Sequence, residues 1–596
     1  MNVIEGGPLT PLPNDAHLLR PLLDLAEQDP KFPIAAVRVG DQFVDVPVSE
    51  FASRVRRLAK GLVAAGVMPG DRVALMAHTR LEWLLVDYAT LLAGGVTVPI
   101  YDTSSAEQLQ WIVSDSGSVV LVVETAAMRE TFEWMSDQLP ECRRVVTIDE
   151  GGLDELEREG VDVSETTIDE RLAALQVDAL ATIVYTSGTT GRPKGCMLTH
   201  RNLHTNVKQS LDAIGPALQP GDSALLFLPL AHSLTKTTAL FVTESGIREA
   251  FATDIPHLPE ELEMVRPTLI CAVPRIFEKV YNSARHHAHS EHKGWIFDRA
   301  VDVAIRWSRE RANGRVMPWT NAAHAFFGRL VYGKIRKALG GNLRLAFSGG
   351  APLGERLTHF FAGIGLDIYE GYGLTETGPT LTVNRPGAWK PGTVGRPVAG
   401  TSIRIAPDGE ILAKGPQVFA GYWHNPAATA ATFDDDGWFL TGDIGEIDAD
   451  GYLWITGRKK ELLVTAAGKN VAPAPLEDRL RSHELISQAV VVGDQRPFIA
   501  ALVTIDEPAF GQWAKEHGHD TESVADLREA DELRSVVQSA VDEANRSVSL
   551  AESIRKFMIL PRDLSIEADE LTPTLKVRRA IVEKTYADLI DSIYAR

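Results

Sequence analysis

Short apolar runs alternate with helical patterns along the first 185 residues, and that alternation leaves few folds open. Residues 51–65 and 82–92 carry apolar side chains at helical spacing, whereas 72–76, 96–100, 119–123 and 181–185 are brief runs rich in Val, Ile, Leu and Ala. Such strands, separated by helices, belong in parallel sheets covered by helices. A chain of 596 residues is too long for one core, so several domains or subdomains are expected. After Gly400 the pattern changes to short strands and turns, at 402–405, 410–413 and 452–455. From Glu461 a small α+β unit is predicted, with strands at 489–492 and 500–505 and helices within 527–550 and 578–590. The expected fold is α/β: a large N-terminal domain, 1–459, of helix-covered sheets plus a β-rich subdomain, and a small C-terminal α+β domain, 460–596. The stretch 283–337, rich in Arg, His and Ala, reads as a solvated helical insertion. Nothing near its four histidines, between His286 and His292, completes a metal site.

Charge and cysteine content narrow the function classes. A net charge of −20 opposes sequence-independent nucleic-acid binding, which needs Lys and Arg against phosphate. Cys142, Cys196 and Cys271 have neither metal-ligand nor redox spacing, which fits a reducing, cytoplasmic setting. Residues 1–13 have no basic start and no apolar core, so no secretory signal is expected. The most apolar window, 83–101, carries Asp87 and a Gly-Gly pair, and no transmembrane helix is predicted.

The sharpest chemical signal is Tyr185-Thr-Ser-Gly-Thr-Thr-Gly-Arg-Pro-Lys-Gly195, directly after a buried strand. Glycines let a loop bring backbone N–H groups close to an anion. The hydroxyls of Thr186, Ser187, Thr189 and Thr190 can donate to phosphate oxygens, and Lys194 adds a cation. A polyphosphate site is the physical reading. A Walker loop would need Ser or Thr after the lysine, where Gly195 stands, and the dinucleotide pattern Gly-x-Gly-x-x-Gly is missing from the run.

This run resembles the phosphate loop of the acyl-adenylate-forming (AMP-binding) superfamily, and the resemblance extends from about Phe51 to Lys576 with the motifs in family order. It implies a first step in which a carboxylate and ATP give acyl-AMP and pyrophosphate. Leu228-Pro-Leu-Ala-His-Ser233 resembles the motif that flanks the carboxylate pocket, which places His232 on the substrate side. Val273-Pro-Arg-Ile-Phe-Glu278 resembles a run of long-chain members in which an aromatic gates the fatty-acid tunnel. Phe277 is that gate or a core aromatic, with equal claim. Ser348-Gly-Gly-Ala-Pro352 implies that Gly349, Gly350 and Ala351 border the adenine. In Tyr369-Glu-Gly-Tyr-Gly-Leu-Thr-Glu-Thr377, Tyr372 would stack on the base beside Gly373, Thr375 would meet the α-phosphate, and Glu376 would hold Mg²⁺ together with Thr186. Gly188 belongs to the same nucleotide loop.

Trp438-Phe-Leu-Thr-Gly-Asp443 supplies Asp443 for the ribose hydroxyls, and Gly457-Arg-Lys-Lys-Glu461 supplies Arg458 for ribose or phosphate and Lys460 as the hinge. Leu571-Thr-Pro-Thr-Leu-Lys-Val-Arg-Arg579 matches the C-terminal catalytic-lysine motif, so Lys576 would ride on a mobile small domain. Its cation would neutralise charge as two anions are brought together. The turn at Ala467 and Gly468 resembles the pantetheine path of CoA ligases. The resemblance is closest to bacterial long-chain fatty acyl-CoA synthetases, with ATP, Mg²⁺ and CoA as cofactors. Delivery to a carrier protein, a silent adenylate-binding protein and a luciferase-like oxygenase stay as alternatives. Peripheral membrane contact and a homodimer are left open.

Overall fold

The computed structural model describes residues 3–186, 192–466, 469–519, 521–546, 548–550, 552–572 and 575–595. Two large sheets form the body of the molecule. In the first, strands Leu180–Thr186, Val96–Ile100, Arg72–Met76, Ser118–Val123 and Arg144–Thr147 run parallel in that order. Their apolar runs are buried on both faces, which is why they alternate little between apolar and polar side chains. The helix Leu81–Leu92 between two of them buries every residue except Glu82, as a helix wedged into a core must.

The second sheet has nine strands. Pro33–Val39, Arg248–Phe251, Ser223–Leu226, Leu269–Ala272, Leu345–Ser348 and Ile368–Gly373 are parallel, and antiparallel strands close both edges. In open α/β sheets the carboxyl ends of the parallel strands are where ligands bind. Ser348, Gly373 and Thr186 all stand at such ends. The β-rich part is an antiparallel five-stranded sheet that includes Ser402–Ile405, Glu410–Lys414, Phe439–Ile447 and Leu453–Arg458.

The C-terminal domain is smaller. Its sheet joins Ile486–Val492, Ile499–Ile505 and Ile554–Ile559. Ala489 and Val491 face the helices Ala474–Arg481 and Asp531–Asn545, while Val490 and Val492 face Val582, Tyr586 and Ile593. The period of two puts alternate residues on opposite faces, so both faces are covered.

The phosphate loop joins two strands, since Leu180–Thr186 pairs antiparallel with Lys194–Thr199. One feature differs from the sequence reading. The stretch 283–337 is helical but only half solvated. Phe297, Ala300, Ala304, Tyr332 and Ile335 are buried in the core of the second sheet's helical layer.

Candidate active site

The hairpin Leu180–Thr186/Lys194–Thr199 sets Thr186 directly opposite Lys194. Ser187, Gly188, Thr189 and Thr190, at the tip, lie outside the described residues. The Lys194 ammonium stands 5.2 Å above the Tyr422 ring. The Tyr422 hydroxyl donates to Glu376 Oε1 at 2.8 Å. Tyr422 is held there by pairing its strand with Lys194–Thr199, in register with Cys196. Thr186 Oγ1 and Cys196 Sγ are 3.8 Å apart. Burial first, and the Glu376 carboxylate second, push the Cys196 thiol well above its ordinary pKa. Thr186, Lys194 and Glu376 therefore meet around Cys196 and Tyr422, two neighbours that nothing in the sequence singled out. Among the described residues no group of three or more His, Cys, Asp or Glu side chains gathers as a metal site. One carboxylate and one hydroxyl suit a hard ion that takes its remaining oxygens from phosphates and water.

At the other end, strands Phe439–Ile447 and Leu453–Arg458 pair Asp443 with Arg458. Arg458 Nε lies 3.0 Å from Asp443 Oδ1, and Tyr372 Oη donates to Oδ2 at 2.7 Å. Asp443 and Tyr372 are buried, while Arg458 is half-exposed. Both carboxylate oxygens thus have a protein partner, and Tyr372 is anchored through its hydroxyl. At Gly373 a Cβ would lie 1.7 Å from the Pro379 carbonyl oxygen, so only glycine fits.

Lys576 belongs to the C-terminal domain yet stands in the large one. A Cβ on Gly350, whose φ is +84°, would be 3.4 Å from Lys576 Cε and 3.6 Å from Nζ. Gly349 lies behind it against Leu234, and Ala351 is exposed. The loop presenting the lysine is tied by the Thr572 N–H to the Lys576 carbonyl at 2.8 Å and by the Lys576 N–H to Thr572 Oγ1 at 3.0 Å. Burial, then the Arg458 charge, lower the Lys576 ammonium to about 8, against the opposing pull of Asp443 and Glu461.

His232 caps the helix Ser233–Glu244, its Nδ1 accepting from the Leu234 N–H at 3.1 Å. That bond assigns the proton of the neutral ring to Nε2. Burial and the Lys576 charge hold the pKa down at about 3, so the imidazole is neutral at ordinary pH. Next to it, Ser233 Oγ and Thr375 Oγ1 are 3.2 Å apart.

Two expected site residues, Phe277 and Lys460, stand apart from this cluster. Phe277 is fully buried, edge-on to Phe361 with ring centres 5.6 Å apart, in the position of a core aromatic. Its motif nevertheless reaches the site, since Val273 Cγ1 is 4.0 Å from the Gly350 position. In the same motif Arg275, passed over in the sequence, donates to Ser487 Oγ at 2.8 Å in the C-terminal domain. Lys460 sits exposed in the turn Lys459–Glu461, and Lys459 before it pairs with Asp408 and Glu410, both at 2.7 Å. Ala467 and Gly468 lie outside the described residues, between the paired strands Leu463–Val464 and Asn470–Val471.

Comparison with known proteins gives a consistent picture. The AMP-binding enzyme family pattern matches residues 26–423, and the AMP-binding enzyme C-terminal domain pattern matches 460–596. The long-chain-fatty-acid–CoA ligase FadD15 of Mycobacterium tuberculosis is 48% identical over 570 residues, covering 95% of each chain. A long-chain-fatty-acid–CoA ligase of Homo sapiens is 31% identical over 93% of this chain and 82% of its own. Among solved structures, an ATP-bound RpMatB-BxBclM chimera has a TM-score of 0.71 at 25% identity, covering 96% of this chain and 99% of its own. The adenylation domain of a carboxylic acid reductase from Segniliparus rugosus, solved with AMP and a carboxylic acid, shares the fold with a TM-score of 0.75 at 23% identity, covering 97% and 94%.

Proposed function

Because the chain belongs to the AMP-binding enzyme family, we infer that it is an AMP-forming long-chain fatty acid–CoA ligase. A carboxylate oxygen attacks the α-phosphorus of ATP, pyrophosphate leaves, and the mixed anhydride acyl-AMP forms. The CoA thiol, giving up its proton, then attacks the acyl carbon, and AMP leaves.

The observation that best supports this chemistry is Lys576 of the C-terminal domain lying against Gly350 beside His232. Attack of one anion on another needs a cation at the point of contact, and a partly desolvated ammonium supplies it. Neutral His232, with its proton on Nε2, offers a donor to the carboxylate without adding a second charge. Lys194 and the hydroxyls of Thr186, Ser187, Thr189 and Thr190, with Gly188, take the β- and γ-phosphates, and Thr375 the α-phosphate. Asp443 and Arg458 receive the ribose. Tyr372, Gly349, Gly350, Ala351 and Gly373 line the base. Mg²⁺ on Glu376 and Thr186 would offset phosphate charge. Lys460 is the pivot between 1–459 and 460–596, Ala467 and Gly468 line the thiol's path, and Phe277 supports the acyl tunnel from the core side.

The test is a panel of fatty acids of increasing chain length with ATP, Mg²⁺ and CoA, scored for AMP and thioester. Thioester should form at a rate that rises toward long chains. Pyrophosphate release without thioester would overturn the CoA step, and silence with every acid would overturn the whole reading.

A further inference from the structure

The helical segment 318–338 has two apolar faces, and the core explains only one of them. Thr320, Tyr332 and Ile335 are buried against the body of the protein, with Phe327 and Val331 packed partly beside them. On the other side Trp319, Phe326 and Leu330 are 63%, 62% and 41% exposed, with Ala322 exposed between them. Their spacing of three, four and four residues draws one stripe along the helix. A π turn at Gly328–Tyr332 keeps Leu330 in line, because a wider turn brings residue i+4 close to a full rotation.

The charge carried by this segment is one-sided, and the carboxylate that meets its start, Glu310, accepts from the Met317 N–H and Thr320 Oγ1. In a chain with 80 acidic residues and a net charge of −20, no Asp or Glu occurs between Glu310 and Glu355. The basic residues inside that window divide in two. Arg311 pairs with Asp367, Arg344 with Asp222, and Arg336 donates to the Ile364 carbonyl. Arg315, Arg329, Lys334 and Lys337 are exposed and have no ion pair among the described residues. Trp295, 73% exposed, adds a further aromatic at the start of the neighbouring helix Gly294–Ala312. The helices Gly294–Ala312 and Pro318–Phe327 pack against each other.

We propose that the face carrying Trp319, Phe326 and Leu330, rimmed by Arg315, Arg329, Lys334 and Lys337, docks on an anionic phospholipid bilayer. Trp and Phe are the side chains that settle at the boundary between headgroups and acyl chains, and unpaired Arg and Lys beside them match anionic lipid phosphates. A second copy of the chain fits worse: a two-fold contact centred on the stripe would set this basic rim against itself. Docking holds the enzyme where fatty acids partition, and it requires no helix that crosses the bilayer. Among the described residues none is long and apolar enough to cross.

Flotation of the full chain with vesicles tests this. Binding should be strong to phosphatidylcholine vesicles containing phosphatidylglycerol, weak to phosphatidylcholine alone, and should fall with added salt. Arg329→Glu with Lys337→Glu should weaken binding to the anionic vesicles by about tenfold or more. Trp319→Ser with Phe326→Ser should abolish it, and both double variants should keep parent activity on a short, soluble acid. Brominated lipids should quench parent tryptophan emission, with much of that quenching lost in Trp319→Phe. The proposal is overturned if the parent ignores anionic vesicles or both double variants bind like the parent. It is equally overturned if the parent sediments as a dimer that the serine variants split with vesicle binding unchanged.

Discussion

At Lys576, the proposed catalytic cation, burial and then the Arg458 charge lower the pKa to about 8, which would set a window for catalysis. The cation is the useful form, so it is present below about 8 and lost as the pH rises through it. The pH profile of kcat/KM for adenylation, which reports the free enzyme, should fall on its alkaline side near that value. Lys576→Arg should move the fall well upward, because a guanidinium keeps its proton. An alkaline limb left in place by arginine would assign it to another group. Lys576→Ala should slow adenylation by about 10² to 10³-fold while conversion of supplied acyl-AMP to acyl-CoA changes far less. Equal loss in both steps would refute the role. Glu376→Gln keeps the shape beside Tyr422 and removes one charge. Adenylation should weaken and recover in part with more Mg²⁺, and parent-like rates at every Mg²⁺ concentration would remove Glu376 from the ion site. These residues were legible because their types are tied to chemistry. Cys196, Tyr422 and Arg275 were not, since packing and reach, rather than residue type, bring them to the site.

Among the elements, the strands buried on both faces were the plainest in the sequence: Arg72–Met76 and Val96–Ile100 have the bounds that their apolar runs suggested. Edge and charged strands were missed. Gln42–Pro47 lies at a sheet edge with most of its side chains out of the core, and Ile554–Ile559 carries Arg555 and Lys556 in mid-strand. The return strand Lys194–Thr199 was hidden because tertiary pairing with Tyr422, not local pattern, completes it. The loop before Lys576 shows a second kind of hidden constraint. Leu575 sits at φ +60°, a conformation that costs a side-chain-bearing residue about 1 kcal/mol or more. At the turn Lys459–Glu461, Lys459 is held by ion pairs with Asp408 and Glu410, and the proposed pivot is the next residue, Lys460. Lys460→Pro locks φ and restricts the residue before it, so one half-reaction should survive and the other fall by orders of magnitude. Lys460→Ala should be nearly harmless. Single-turnover pyrophosphate release, set against thioester formation from supplied acyl-AMP, distinguishes the two, and like behaviour of proline and alanine would move the pivot elsewhere.

For the whole molecule, the contact between domains is itself titratable. Arg275 reaches Ser487, Arg285 pairs with Glu484, and Asp478 lies in a cleft with Glu278, Arg356 and Arg481. Burial is the main cause that raises the Asp478 carboxyl to about 6, with Glu477 and Glu278 adding to it and Arg481 opposing. A raised carboxyl is most at home when protonated. The docked arrangement therefore loses stability as the pH climbs from the ordinary carboxylate range, about 4, to about 6, and does not regain it above. Asp478→Asn removes that loss. Its Tm relative to the parent should rise across this interval and stay higher at pH 7, and parallel Tm curves would show that the carboxyl is not desolvated by docking.

The single exposed turn Lys459–Glu461 is the only covalent path from the large domain to everything after it. With Lys460 as the proposed pivot, the C-terminal domain would turn as a lever on a very short axle, carrying Lys576 with it. Water would then have to flow around that lever on each catalytic cycle. Drag, rather than chemistry, then limits the pace whenever bond making is fast, and steady-state turnover should slow in proportion to added sucrose while single-turnover adenylation, begun with the lysine already in place, does not.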